Sequence, residues 1–324
     1  MKESEPIRRS AEILRHGGVV AFPTETVYGL GADAFNPLAV ARIFEIKERP
    51  SFDPLIVHIA DRTQIASLVT DIPPSAERLM TRFWPGPLTV VFFKTEEVPD
   101  IVTAGLPTVG VRMPRHPMAL RLIAEAGCPL AAPSANPFGY VSPTTAEHVR
   151  EQLGSQVDFI LDGGPCEVGL ESTILSLTGD RPRLLRPGGL PLEEIESVIG
   201  KVEIGSVEED VPFSPGRLPR HYAPKTPIVL EGWRETLEAY QNKKVGLLSF
   251  GEVNVSFPFH HIEVLSQRGN LREAAANLFA AIRRLDSLDL DLILSESVPE
   301  VGLGRAMMDR LRRASRMERE STLA

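Results

Sequence analysis

The first residues that could do chemistry are two cations, Lys47 and Arg49, which stand two positions apart after an amphipathic segment. On a continuing helix they would point to different sides. Pro50 disfavours the α region at Arg49, so the helix should stop and both cations can converge. Two fixed cations beside a strand end suit a polyphosphate or bicarbonate. Favourable charge at a helix C-terminus explains the pair equally well, and the spacing leaves both interpretations open.

A polar cluster follows the apolar run at residues 19–22. The segment reads PTETVYGLGAD, and its proline, Pro23, is incompatible with the middle of a central strand. A turn explains the proline and the glycines. It does not need two threonines, a glutamate and a tyrosine within five positions, so we interpret the segment as a binding loop.

Two charged or titratable side chains lie within apolar strands. His58 stands in LIVHIA, where a lone histidine is more often a satisfied core residue than a ligand. In TVGVRM, alternation places Thr108, Gly110 and Arg112 on one strand face. An arginine beside a glycine that leaves space can bind a carboxylate with its fork. A surface arginine on a strand explains the same pattern, and both interpretations remain open.

The run LAAPSANPFGYVSPTTAEHV ends a strand at Ala132. Ser134 and Asn136 then project the same way if the chain stays extended. Ser142 or Thr144 offers an N-cap for the next helix, and helix N-termini attract phosphate. Asn-Pro and Phe-Gly are also plain turn signals.

Two more polar sites flank the last strands of this region. Glu171, Ser172 and Thr173 begin one strand, and Arg186 ends the next before a glycine pair. Open α/β sheets place ligands at strand ends. The sequence has no GxxxxGK[ST], GxSxG or HExxH motif, so a nucleotide would be held by dispersed side chains.

Length, composition and net charge restrict the classes of protein to which this chain can belong. The chain has 324 residues, 43% of them apolar, which predicts a globular protein of two domains. A net charge of −8 argues against a protein that coats nucleic acid non-specifically. The sequence contains no apolar run of about 18 residues, so no membrane-spanning helix is predicted. The two cysteines form no CxxC pair, which excludes a cysteine-built zinc site.

Strand-like and helix-like segments alternate through the first 200 residues, which predicts an α/β domain. The predicted strands are Val19–Phe22, Leu55–Ala60, Leu88–Phe93, Thr108–Met113, Leu130–Ala132, Phe159–Asp162, Ser172–Leu177 and Arg183–Leu185. The predicted helices are Ile7–His16, Leu38–Ile46, Ala76–Phe83, Met118–Ala126, Ala146–Leu153 and Leu192–Ile199.

Residues 201–226 lose this periodicity and are rich in proline, which predicts an extended connector. Arg217, Arg220, His221 and Tyr222 favour ligand contact there over a plain linker.

Residues 227–324 resume the alternation and predict a smaller Rossmann-like α/β domain, with helices at Arg234–Gln241, Leu271–Leu285 and Arg305–Arg319. The join Ser249–Gly251 is a weak ligand signal. The arginines of the last helix are expected on a solvated face.

Taken together, these motifs resemble the YrdC-domain family in its long form, which carries a C-terminal Rossmann-like domain. The paired KxR and SxN signatures stand here as Lys47-Glu48-Arg49 and Ser134-Ala135-Asn136. PTETVYGLGA, RPSxxPLIVHI, FWPGPLT, VRMP, APSAN, ESTI, LRPGG and the connector SPGxxxxHYAP also match in order. The resemblance implies a twisted mixed sheet with a concave cavity, followed by the smaller domain.

The resemblance also implies a reaction in which ATP, L-threonine and bicarbonate or CO2 give threonylcarbamoyl-AMP and pyrophosphate. By the same resemblance, threonine would be surrounded by Thr26, His58, Arg112, Ala132 and Ser172. ATP would contact Arg49, Asp53, Thr108, Ser134, Ser142, Arg186, His221 and Tyr222. Catalytic roles would fall to Lys47, Arg49 and Asn136.

Mg²⁺ is expected to arrive with ATP, since no acidic cage is visible in the sequence. The product would pass to a separate tRNA-modifying complex in the cytoplasm, with no stable nucleic-acid binding by this chain. One alternative is an RNA-binding module without catalysis. Another is a carbamoyl transferase, which in related proteins carries zinc-finger cysteines that two cysteines cannot supply.

Overall fold

The computed structural model describes residues 4–205, 221–253 and 255–315. The chain divides into two compact units. The first contains described residues 4–138 and 142–205, and the second contains residues 139–141 and the described residues from 221 onward.

The first unit is built on a ten-stranded mixed sheet. Its strands are β1 (Val20–Phe22), β2 (Gly29–Asp33), β3 (Ile56–His58), β4 (Leu88–Phe93), β5 (Thr108–Arg112), β6 (Leu130–Ala131), β7 (Phe159–Ile160), β8 (Thr173–Ser176), β9 (Arg183–Arg186) and β10 (Glu203–Ile204). Their order across the sheet is β10-β9-β8-β4-β5-β3-β6-β2-β1-β7. The strand predicted at Leu88–Phe93 has the predicted bounds, and most others are shorter by one to three residues.

The helices of this unit are α1 (Ser4–Arg15), α2 (Pro37–Lys47), α3 (Pro74–Phe83), α4 (Asp100–Thr103), α5 (Pro117–Ala126), α6 (Ala146–Leu153) and α7 (Leu192–Ile199). Two 3₁₀ turns, Arg62–Ser67 and Gly154–Gln156, complete it. The predicted bounds of α6 and α7 are confirmed.

Alternate residues of β1 enter two different cores. Val20 and Phe22 pack with Leu14 of α1 and Leu122 of α5. Their neighbour Ala21 packs in the larger cluster that contains α2, α3 and α7. Because successive strand residues point to opposite faces, the sheet is covered by helices on both sides. Polar side chains at strand ends are therefore held by a packed frame.

The hairpin of β1 and β2 corrects the sequence analysis, which took the whole segment PTETVYGLGAD as a loop. Gly29 to Asp33 form a strand antiparallel to β1, with Phe22 opposite Gly29. A Cβ on Gly31 would lie 2.7 Å from Cε1 of Phe22. Glycine is disfavoured in strands, but Gly31 is required here because the Phe22 ring lies so close to it. Strand propensity alone therefore did not predict β2. The loop is thereby limited to residues 23–28.

The second unit contains a four-stranded parallel sheet in the order β11-β14-β12-β13. Its strands are β11 (Ile228–Val229), β12 (Val245–Ser249), β13 (His261–Val264) and β14 (Leu292–Ser295), and its helices are α8 (Leu271–Asp286) and α9 (Leu303–Ala314). The segment predicted as a helix at Arg234–Gln241 is a 3₁₀ helix over Arg234–Tyr240. The parallel sheet with flanking helices confirms the predicted second α/β fold.

Two further expectations are wrong. Within the predicted connector 201–226, β10 pairs in parallel with β9, so Glu203 lies opposite Arg183. On α9, Arg310 and Arg313 are buried and both pair with Asp309, so that face of the helix is not solvated. The positive charges of Arg310 and Arg313 are tolerated in the interior because both arginines pair with the Asp309 carboxylate.

The connector residues Arg217 and Arg220 lie outside the described residues. Across the described ranges, no helix is long and apolar enough to cross a bilayer.

Candidate functional site

The end of α2 sets the position of the first two cations. Asn36 caps the start of the helix by accepting hydrogen bonds from two backbone amides, and Pro37 occupies the first turn. The helix ends at Lys47 because Glu48 adopts a left-handed conformation, with φ 52°. Arg49 therefore leaves the helical path, as predicted from Pro50.

Lys47 joins two sequence motifs that are far apart in the chain. Its Nζ donates to the carbonyl oxygen of Ser134 at 2.7 Å and to that of Asn136. The amide of Phe138 donates to the Lys47 carbonyl at 2.9 Å. The side chain and the backbone of one lysine thus place the Ser-Ala-Asn segment beside the Lys-Glu-Arg segment.

Arg49 is fixed by two hydrogen bonds and one ion pair to the turn that follows it. Its Nε donates to the Asp53 carbonyl at 3.0 Å, and Nη2 donates to the Pro54 carbonyl at 2.9 Å. The same Nη2 lies 2.9 Å from the Asp53 Oδ2, and both side chains are buried. The guanidinium is therefore held in one orientation by its fork geometry.

Electrostatics places Arg186 with the same group. Burial raises the pKa of the Asp53 carboxyl, and the positive charges of Arg49, Lys47 and Arg186 oppose that rise. Burial and then the charge of Arg49 hold the pKa of Lys47 well below its usual value. The charges of three buried basic side chains thus act on one carboxyl group, and we call these side chains the basic cluster: Lys47, Arg49 and Arg186. Such a cluster favours an anionic ligand.

Arg186 ends β9 and is anchored on the neighbouring strand. Its Nε and Nη2 donate to the Ser172 carbonyl at 3.3 and 2.8 Å. The hydroxyl of Ser172 lies 2.8 Å from that of Thr89 on β4. The turn after β9 needs glycine, because a Cβ on Gly188 would lie 2.4 Å from the Glu171 carbonyl oxygen.

Arg112 ends β5 and is the centre of a second polar group. Its Nη2 lies 2.7 Å from the Oε1 of Glu25, its Nη1 donates to the Thr26 hydroxyl at 2.9 Å, and its Nε donates to the Gly86 carbonyl at 3.2 Å. All of these side chains are buried. The arginine therefore does not lie on the surface, which removes the open alternative from the sequence analysis.

His58 lies next to Arg112 across the parallel pair of β3 and β5. Burial, followed by the positive charge of Arg112, lowers the pKa of His58 to about 3. The imidazole is therefore neutral at physiological pH and can donate or accept one hydrogen bond at each nitrogen. Its Nδ1 lies 3.2 Å from the Ile56 carbonyl oxygen.

With this geometry established, the family follows from comparison with known proteins. A family model named for Sua5, YciO and YrdC, described as "Telomere recombination", matches residues 12–188, more than half of the chain. The chain belongs to the Sua5/YciO/YrdC family. A second family model, described as the C-terminal domain of threonylcarbamoyl-AMP synthase, matches residues 190–316. The resemblance found from the motifs is confirmed.

Two curated members of the Sua5/YciO/YrdC family match over nearly their whole length. The threonylcarbamoyl-AMP synthase of Pyrococcus abyssi (strain GE5 / Orsay) is 48% identical, over 97% of this chain and 95% of that protein. The threonylcarbamoyl-AMP synthase of Bacillus subtilis (strain 168) is 46% identical, over 95% of this chain and 92% of that protein. The crystal structure of P. abyssi Sua5 complexed with L-threonine matches with a TM-score of 0.89 and 48% identity, covering 95% of this chain and 94% of that chain.

Two further predicted site residues, Thr108 and Ala132, are placed by strands of the large sheet. Thr108 begins β5 and Arg112 ends it, so about 13 Å of strand separates them. Ala132 follows β6, where its amide donates to the Ile56 carbonyl at 2.9 Å. This places Ala132 beside β3, the strand that carries His58.

Ser142 has a role that the sequence analysis did not assign. Its hydroxyl donates to the Glu171 Oε1 at 2.5 Å. The N-cap of α6 is Thr145, which accepts from the amide of His148, so the expected cap by Ser142 or Thr144 is wrong. Ser142 is instead tied to the segment that leads into β8.

His221 and Tyr222 belong to the second unit. The Tyr222 ring stacks on Phe279 with centroids 5.7 Å apart, and the Arg310 guanidinium lies 4.8 Å from the same ring. The expectation that both residues close over a nucleotide stays a prediction.

Glu25 and Thr89 were missed as individual site residues. Glu25 was visible only as part of the polar loop, although a carboxylate between two threonines is a usable signal for an arginine partner. Thr89 is the single polar residue of β4, LTVVFF, and this break in an apolar strand could have marked it.

The glycine join at Ser249–Gly251 contributes to a cavity of about 570 Å³ in the second unit. Glu296 lines it and accepts hydrogen bonds from the Ser249 hydroxyl at 2.7 Å and the Phe250 amide at 3.1 Å. These bonds fix one wall of the cavity. That the join at Ser249–Gly251 binds a ligand stays a prediction.

Proposed function

We propose that this chain is a threonylcarbamoyl-AMP synthase that makes threonylcarbamoyl-AMP and pyrophosphate from ATP, L-threonine and bicarbonate or CO2. Support comes from the 46–48% identity to threonylcarbamoyl-AMP synthases over nearly the whole chain. The likeness to a relative complexed with L-threonine supports the amino-acid substrate. Within the chain, one observation carries the proposal: the positive charges of three buried basic side chains, Lys47, Arg49 and Arg186, all act on the buried carboxyl of Asp53.

The chemistry explains why such a cluster is useful. The ammonium group of threonine first loses a proton to solvent. The nitrogen of the neutral amine then bonds to the carbon of CO2 and loses a second proton to solvent, or it bonds to the carbon of bicarbonate as water leaves; both routes give a carbamate. A carbamate oxygen then bonds to the α-phosphorus of ATP, and the bond from that phosphorus to the β-phosphate oxygen breaks. Pyrophosphate leaves with the electron pair. No protein nucleophile is required.

The central difficulty is that two anions must approach each other. Two unit charges 4 Å apart at an effective dielectric constant near 20 interact by about 4 kcal/mol. The basic cluster offsets this repulsion and keeps the reacting groups in line. Catalysis then consists of positioning and electrostatic stabilisation. In this proposal Lys47, Arg49 and Asn136 are the catalytic residues.

The threonine subsite would be built around Arg112. Its guanidinium is suited to the α-carboxylate, and neutral His58 on the adjacent strand supplies a hydrogen bond without adding charge. The hydroxyls of Thr26 and Ser172 and the backbone at Ala132 complete the proposed subsite.

The nucleotide subsite would use the remaining predicted residues. Arg49 and Arg186 supply charge for the phosphates, Asp53 orients Arg49, and Ser134 and Ser142 lie on segments tied to the cluster. Thr108, His221 and Tyr222 are carried from the family resemblance alone.

Magnesium is proposed to enter with the nucleotide. In the ranges that the structure describes, no three His, Cys, Asp or Glu side chains are grouped to hold a metal ion. The carboxylate nearest the basic cluster, Asp53, is already paired with Arg49. Mg²⁺ is therefore expected on the phosphates of ATP, where it would neutralise part of their charge.

The product is proposed to serve threonylcarbamoyladenosine formation on tRNA in the cytoplasm. Threonylcarbamoyl-AMP is an activated acyl donor, so a separate transferase complex must consume it. The net charge of −8 fits a protein that leaves RNA binding to that complex.

The decisive experiment is incubation with ATP, threonine and bicarbonate, with mass spectrometry for the adenylate and an assay for pyrophosphate. Omission of threonine should abolish both signals, and replacement by serine tests the choice of amino acid. Salt-dependent RNA affinity without adenylate formation would favour the non-catalytic alternative.

A further inference from the structure

A buried carboxylate beside Arg112 has no part in the reaction described above. Glu25 and Arg112 have side chains that are only 3% and 4% exposed, and Nη2 lies 2.7 Å from Oε1. The other oxygen of Glu25 accepts from the amide of Arg115 at 3.0 Å. The backbone carbonyl of Glu25 accepts from the amide of Val168 at 2.8 Å. Glu25 is therefore fixed from three directions.

The other partners of Arg112 are also fixed. The hydroxyl of Thr26, which accepts from Nη1, lies 2.8 Å from the hydroxyl of Thr24. The Gly86 carbonyl accepts from Nε. Bonds to described residues thus use three of the five N–H groups of a guanidinium, and the remaining two suit a carboxylate.

We propose that Glu25 is a positioning residue for threonine: it holds the guanidinium of Arg112 in the orientation that receives the α-carboxylate. The inference rests on the proposed function, because it assigns a role to Glu25 in that substrate's subsite. Glu25 acts through Arg112 and touches no reacting atom.

The charges of the substrate indicate whether Glu25→Gln should weaken or strengthen the binding of threonine. Threonine binds as a zwitterion, so Glu25 repels its carboxylate and attracts its ammonium group, and these two contributions largely oppose each other. The orientation of Arg112 is then the larger effect. Both oxygens of Glu25 accept from N–H donors, whereas a glutamine has only one accepting atom, so Glu25→Gln must lose one of the two bonds.

The test uses the full chain and measures initial rates of pyrophosphate release while threonine and ATP are varied separately. For Glu25→Gln we expect the KM for threonine to rise about tenfold or more, with kcat and the KM for ATP within about twofold of wild type. Calorimetric titration with threonine alone should show the same loss of affinity. A glutamine variant with unchanged threonine affinity would overturn the inference.

Glu167→Gln is the matched control. Glu167 is an exposed glutamate that pairs with Arg115 at 2.9 Å, so this variant removes the same charge nearby without touching Arg112. Both KM values should remain unchanged. An equal rise in threonine KM in this control would also overturn the inference, since charge alone would then explain the effect.

A double-mutant cycle with Arg112→Gln separates positioning from general damage. If Glu25 acts through Arg112, adding Glu25→Gln to Arg112→Gln should change the threonine affinity no further. Additive losses would contradict the proposal. The double variant also removes both buried charges, so it should remain folded even where Glu25→Gln alone is too unstable to assay.

The outcomes separate this inference from the proposed function. If the wild-type protein forms no adenylate, the proposed function itself is wrong. If the wild-type protein is active and Glu25→Gln leaves the threonine affinity unchanged, only the role of Glu25 is wrong.

Discussion

The guanidinium of Arg49 pairs with the carboxylate of Asp53, four residues later, with Nη2 2.9 Å from Oδ2 and both side chains buried. The same guanidinium donates to two backbone carbonyls of this turn. A planar group with several fixed donors can make both hydrogen bonds while it keeps the ion pair, whereas an ammonium group cannot reproduce the fork. Charge and shape are therefore both required at position 49.

We expect Arg49→Lys to lower the turnover number at least tenfold, although the charge is retained, and Arg49→Ala to lower it about 100-fold or more. Initial rates of pyrophosphate release at saturating ATP and threonine provide the measurement. Thermal unfolding should show that both variants are folded. A lysine variant with wild-type turnover would mean that charge alone is needed.

Arg186→Ala should likewise reduce turnover by about 100-fold or more, because it removes one of the two arginine charges that the proposed function assigns to the phosphates of ATP. Arg183→Ala is the control on the same strand. That arginine is partly exposed and pairs with Glu203 at 3.7 Å, so its loss should leave turnover nearly unchanged. Similar losses in both variants would show that damage to β9, rather than the charge of Arg186, is responsible.

His58 should make the protein less stable in acid. Its pKa is about 3 in the folded protein and about 6.5 in an unfolded chain. Unfolding therefore takes up a proton below pH 6.5, and the stability that His58 contributes above that pH is lost progressively down to about pH 3. Its share of the unfolding free energy should fall by roughly 1.4 kcal/mol per pH unit in this window.

Urea unfolding at pH 6.5, 5.5 and 4.5 measures this dependence. His58→Gln should have a shallower slope than wild type, because the variant lacks the group that takes up the proton. Parallel slopes for wild type and His58→Gln would indicate that His58 is not the group that takes up the proton.

Gly188→Ala should destabilise the protein by about 1–3 kcal/mol, because the added Cβ would lie 2.4 Å from the Glu171 carbonyl and from the Thr173 amide. The midpoint of chemical unfolding is the measurement. Gly179→Ala is the control, since the nearest atom to its Cβ would be the Arg181 carbonyl at 4.0 Å. An alanine tolerated equally at both positions would show that the turn after β9 can relax.

Local chemistry in the sequence predicted part of the site. Pro50 was enough to predict that Arg49 leaves the helix, since the effect of proline on the preceding residue is steric. The helix ends at Lys47. The partners of these cations were not predictable in the same way. Lys47 uses backbone carbonyls of a segment 87 residues away, and no spacing rule identifies such acceptors.

The fold shows the same division. Regular periodicity predicted β4, α6 and α7 with their bounds, but β2 was missed because its glycines are demanded by the ring of Phe22 on the paired strand. Arg310 was expected in solvent because its charge is typical of a surface. It is instead buried, with its guanidinium 4.8 Å from the centre of the Tyr222 ring and paired with its neighbour Asp309. In both cases an aromatic ring from another segment, Phe22 or Tyr222, lies at the position that the sequence pattern did not predict.

The contacts of Lys47 with the segment at 134–138 have a consequence for the order in which binding ability appears. A lysine near the beginning of the domain stays incompletely placed until residues far downstream have emerged and paired into the sheet. Nascent chains that end before this segment should therefore have no affinity for the nucleotide. Ligand binding should appear late, together with long-range strand pairing, rather than with the early helices.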